Sequence, residues 1–164
     1  MNNPTWAIIG VAAAVSLIGG CSRSTSDDIT ILDYGLYDAS ALLSGMPELG
    51  QEPRLISLNV VGHRELTSTI PCRPDTYFGF RLDPATLPSR YHVRVEYEHP
   101  PFANTGGETV QVQESDIESP GVFDGEVVWC FLEEFPNELV PGTWTFRVFI
   151  DGELVAEKDF RVVE

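Results

Sequence analysis

The sequence predicts an all-β protein, an antiparallel β-sandwich of about seven to eight strands. Two observations carry that expectation. Short runs alternate apolar and polar residues with period two. At residues 91–99, Tyr91, Val93, Val95 and Tyr97 point one way and His92, Arg94, Glu96 and Glu98 the other. Breakers also separate the runs: 14 Gly and 12 Pro among 164 residues leave no room for a long amphipathic helix.

The strands are expected, in order, at residues 29–37, 55–65, 77–82, 91–99, 109–113, 126–133, 144–151 and 154–163. Gly45, Pro47, Gly50 and Pro53 separate the first two, and Pro71 and Pro74 precede the third. Pro84 and Pro88 close the third, and Pro100 to Gly107 close the fourth. Residues 144–151 repeat the alternation with Trp144, Phe146, Val148 and Ile150 on one face. One segment reads differently. Residues 38–43, Asp-Ala-Ser-Ala-Leu-Leu, are expected to form a helical turn before Gly45 and Pro47 stop it.

The last hairpin sets two rules against each other. Asp151-Gly152 signals a two-residue turn. Carried down the ladder, that turn places Phe146 opposite Glu157. A three-residue loop instead pairs Ile150 with Leu154, Val148 with Ala156 and Trp144 with Phe160. A slip of one residue turns every side chain over, so burial selects the three-residue loop or an equivalent bulge.

Ahead of the domain lies an apolar run, residues 6–21, that ends in Ile18-Gly19-Gly20-Cys21. It resembles a bacterial lipoprotein signal peptide with its lipobox, although the first five residues lack the usual Lys or Arg. The resemblance implies that residues 1–20 are removed and that Cys21 carries lipid. It also implies a membrane-anchored, extracytoplasmic address, with Ser22 favouring the periplasmic face of the outer membrane. Residues 21–28 read as a lipidated polar tether. The seven residues after Cys21 reach at most about 25 Å, which keeps the domain, residues 29–164, close to the bilayer.

Charge narrows the partners. With 25 acidic and 10 basic residues the chain carries −15, which excludes nucleic acid as a partner, since phosphates need a basic patch. It also disfavours docking by charge onto anionic lipid. With Cys21 assigned to lipid, Cys72 and Cys130 remain. An oxidising compartment suggests a disulfide between them, worth about 4 kcal/mol for a loop of this length. Two buried free thiols are the alternative.

Several blocks carry a second resemblance: Tyr34-Gly35-Leu36-Tyr37, Ile70-Pro71, Phe78-Gly79-Phe80, His99-Pro100-Pro101 with Asn104-Thr105-Gly106, and the run from Glu138 to Phe146 containing Pro141-Gly142-Thr143-Trp144. They look like a bacterial family known only as a domain of unknown function, over about residue 29 to the end. The resemblance implies an immunoglobulin-like sandwich, no established activity and no catalytic residue to carry over. The sequence departs from it at Cys72, where members often have a small residue, and at Asn137, where they often have Trp.

The search for chemistry is mostly negative. There is no Gly-x-Ser-x-Gly, His-Glu-x-x-His, phosphate loop or Cys-x-x-Cys. No cofactor and no metal is expected. His92 and His99 fall on opposite faces of one strand, and Glu114, Asp116 and Glu118 read as a solvated acidic loop rather than a calcium site. The domain is therefore expected to be a non-catalytic module that binds an unidentified envelope protein near the membrane. The alternative is a glycan or small-ligand module using loop aromatics such as Tyr34, Tyr37, Tyr77 and Phe102. The candidate partner-binding loop is His99, Pro100, Pro101, Phe102 and Asn104, stiffened by two prolines at its start, with Phe102 at its tip.

Overall fold

The computed structural model describes residues 29–44, 54–87, 91–103, 107–118 and 123–164. Cys21, the signal segment, the tether and Asn104 lie outside them. Nine strands are described: β1 (Ile31–Ser44), β2 (Arg54–Leu66), β3 (Thr69–Pro71), β4 (Thr76–Leu82), β5 (His92–Ala103), β6 (Thr109–Glu118), β7 (Glu126–Phe131), β8 (Gly142–Ile150) and β9 (Glu153–Val163). They form two sheets, in the order β2-β1-β4-β7 and β3-β9-β8-β5-β6. Every pairing is antiparallel except that of β3 with β9.

The all-β expectation holds, and the inward faces are those the alternation assigns. Val93 and Val95 of β5 meet Trp144, Phe146 and Val148 of β8 and Phe160 of β9 in one core. Phe78 of β4 sits at its centre. Its ring lies 5.2–5.9 Å from those of Phe131, Trp144, Phe146 and Phe160, within the range of favourable offset and edge-on contacts. At the β9 side, Lys158 pairs with Phe146 on the inward register and lays its ammonium 3.8 Å from the centre of the Tyr34 ring.

Two glycines tie the first sheet together. Gly35 and Gly79 face each other across β1 and β4. A Cβ on Gly35 would lie 2.1 Å from the Glu65 carbonyl oxygen, and one on Gly79 would lie 1.9 Å from that of Val127. Backbones approach too closely there for any side chain.

Three expectations are corrected, and the last hairpin takes the bulged form of the two that were expected. Residues 38–43 are strand, not a helical turn: Ala39 pairs with Val60 and Ala41 with Leu58, and these long-range contacts override the helical propensity of Asp-Ala-Ser-Ala-Leu-Leu. The final hairpin keeps its two-residue turn, with Asp151 and Gly152 both at positive φ and Ile150 opposite Glu153. A bulge between Val148 and Phe149 then restores the buried register, Val148 with Ala156 and Trp144 with Phe160. The acidic stretch Glu114 to Glu118 is part of β6 rather than a loop. Lastly, Cys72 and Cys130 are free thiols, not a disulfide. Cys72 packs against the main core, whereas Cys130 belongs to a second apolar cluster on the opposite, outward face of the first sheet.

That second cluster comes from strands that are apolar on both faces. In β7, Val127 and Phe131 turn into the sandwich while Cys130 turns outward, followed by Leu132. Tyr37 and Tyr77 complete it, and Ala39, Ala41, Leu43, Leu58 and Val60 of the β1–β2 hairpin pack against it. β1 pairs with β4 only as far as Tyr37, and beyond that point its partner is β2.

Candidate functional site

The segment expected to be the contact loop continues β5 instead. A register shift between Glu98 and Phe102 accommodates Pro100 and Pro101, which have no N–H for the ladder. His99 is 4% exposed and Phe102 5%. Their rings stack 4.3 Å apart, and the His99 ring lies 4.9 Å from that of Trp144. Pro101 stays exposed and Pro100 is half-buried. Phe102 is thus a core residue and offers no exposed hot spot. Burial lowers the His99 pKa, and its contact with the Pro100 carbonyl only partly opposes that.

Two of the other candidate aromatics lie in strands and are covered as well. Tyr37 is fully buried and Tyr77 nearly so. Tyr37 donates its hydroxyl to Asp33 Oδ1 at 2.6 Å, and Arg81 grips the same carboxylate through Nε, at 3.0 and 3.1 Å, and through Nη2. Burial alone would raise the Asp33 pKa, but the hydrogen bonds from Arg81 and Tyr37 hold it below the ordinary value. His63 closes the group, with Nε2 donating to the Tyr34 carbonyl at 2.9 Å and its ring edge-on to Tyr37. Asp33, Tyr37, Arg81 and His63 thus each have a partner within the fold.

Burial favours the protonated form of both thiols. Desolvation pushes Cys130 up to about 12 and raises Cys72 as well. Among the described residues no group of three or more His, Cys, Asp or Glu is placed to hold a metal ion. Glu114 and Asp116 pair with Arg94, at 3.0 Å, and His92, at 3.4 Å.

What stands out is the β1–β2 hairpin. Among the described residues seven large apolar side chains are exposed, and five of them, Leu32, Leu42, Leu55, Val61 and Leu66, lie on it. Val61 is 75% exposed and Leu66 63%. β2 is also an edge strand of its sheet. Its register against β1 skips Ile56, Val61 and Arg64, so three residues bulge from the ladder. A signal for this was in the sequence. Leu55-Ile56 and Val60-Val61 are adjacent apolar pairs that break the period-two alternation of a regular strand.

The two packed antiparallel-rich sheets and their aromatic core define an immunoglobulin-like β-sandwich. An immunoglobulin-like protein from Pseudomonas aeruginosa has the same fold, with a TM-score of 0.59 and 21% identity over 85% of this chain and 100% of that one. The chain belongs to the family described as a domain of unknown function (DUF3859), whose profile matches residues 25–162. No curated protein matches the sequence.

Proposed function

We propose that this chain is a non-catalytic interaction module of the cell envelope. Lipid on Cys21 holds it beside the membrane, and it binds a protein partner through the β1–β2 hairpin. The observation that supports this reading is the concentration of exposed Leu and Val on one hairpin at a sheet edge, in a protein that otherwise turns charge outward. The bulges at Ile56, Val61 and Arg64 twist that edge and discourage an added strand, so the contact runs through side chains. A glycan or small-ligand module would draw on the loop aromatics, and Tyr37, Tyr77 and Phe102 are spent in packing.

The test is in-cell photocrosslinking from single positions. A crosslinking residue at Val61 or Leu66 should give one discrete adduct, while the same residue at Glu157 on the far sheet should give none. Adducts from Glu157 alone, or none from the hairpin, would overturn the proposal. The anchor is tested separately: Cys21→Ser should move the protein from the membrane to the soluble fraction.

A further inference from the structure

We infer that His99 and Trp129 hold one internal water molecule between them, in the aromatic cluster where β5, β7 and β8 meet. The tautomer comes first. His99 Nδ1 lies 2.9 Å from the Pro100 carbonyl oxygen. A carbonyl only accepts, so Nδ1 carries the proton and Nε2 presents a bare lone pair. That Nε2 is sealed from solvent and has no hydrogen-bond partner in the protein. The indole Nε1–H of Trp129, which can only donate, is in the same position.

These are the two buried side-chain polar atoms without a partner among the described residues, and they belong to neighbouring rings, with centroids 6.2 Å apart. One is an acceptor and the other a donor. They do not bond each other, so satisfying both takes a molecule that donates once and accepts once. Water does so, and buried waters occur where polar groups would otherwise go unpaired. Two of the neighbouring rings make no claim on that molecule: Phe102, stacked on His99, has no polar side-chain atom, and the Trp144 indole N–H is already given to the Val140 carbonyl at 3.1 Å. The water would join β7 of one sheet to β5 of the other through two hydrogen bonds, at the point where two prolines weaken the β5 ladder.

Nuclear magnetic resonance on the full chain, labelled with nitrogen-15 and held in detergent micelles, tests this. Trp129 and Trp144 should each give an indole N–H signal, as should Trp6 where residues 1–20 are retained, and Trp129→Phe assigns one by its loss. The Trp129 signal should show a cross-peak to a long-lived water and slow exchange with solvent, and the Trp144 signal should show no such cross-peak. Long-range nitrogen–proton correlations should report His99 with Nδ1 protonated and Nε2 bare. His99→Phe should abolish the Trp129 water cross-peak while leaving the signal dispersed. No water cross-peak in the unaltered protein, a protonated Nε2, or a direct Trp129–His99 hydrogen bond would each overturn the inference.

Discussion

On the outward face of β5, β8 and β9, Arg147 sits between Glu96, Glu98 and Glu157, at 2.8, 2.7 and 2.6 Å. Arg94 extends the ladder to Glu114 at 3.0 Å and lies over the Phe149 ring. On the outward face of β1, β4 and β7 the middle positions are Tyr37, Tyr77 and Cys130, buried under the hairpin. Both sheets cover the same core, yet one finishes in water and the other in a second apolar layer. Charges at alternate positions hold their face in solvent at little cost in stability. A second apolar layer must be covered, and the hairpin that covers it leaves Leu42, Leu55 and Val61 exposed. The contact surface proposed for a partner is thus a by-product of how the first sheet is sealed.

Substitutions can break that contrast. Leu132 is 4% exposed in the outer apolar cluster, so Leu132→Asp buries a charge without a partner and should cost more than about 4 kcal/mol in urea unfolding. A loss below about 1 kcal/mol would mean that the cluster is wet and the two faces are alike. Phe102→Ala should cost about 3 kcal/mol, the usual penalty for emptying a buried aromatic site, and should leave hairpin crosslinking unchanged. Arg147→Met, in the ionic ladder, should cost about 1 kcal/mol, and the difference from the unaltered protein should shrink in high salt.

A titration sharpens the comparison. Glu138 lies close enough to Cys130 to raise its pKa, and burial pushes Glu138 itself up to about 7. Its folded-state pKa is therefore above the ordinary carboxyl value. The stability it contributes is present below that ordinary value and is lost as pH rises towards 7. Glu138→Gln should match the unaltered protein in melting temperature at pH 4 and exceed it at pH 8. His99 has the opposite sign, since its neutral form is the buried one, and its contribution fades as pH falls below about 6.5. The smallest effect expected is that of Val61→Ser, within about 0.5 kcal/mol because the side chain is exposed, with partner crosslinking lost.

The charged face was legible in the sequence because its strands alternate strictly: Arg94, Glu96 and Glu98 announce themselves between Val93, Val95 and Tyr97. The apolar face was not. Val-Val-Trp-Cys-Phe in β7 has no period, and nothing in it says which side would be covered, or by what. β3 escaped notice because three residues pairing in parallel with β9 leave no local pattern. Asp33 and Arg81 are 48 residues apart, and only the pairing of β1 with β4 brings them together. The His-Pro-Pro segment looked like a loop because prolines usually end strands. Here the bulge in β5 carries them, and the two rings that flank them turn into the core.

Lys158 is the only lysine in the chain. It lies within β9, inside the ladder to β8, with its ammonium seated on Tyr34. A protease that cuts only after lysine therefore has one bond to attack, and that bond is out of reach until β9 peels from its sheet. The appearance of a single clipped product becomes a clock for the opening of this strand, readable with no label or engineered site.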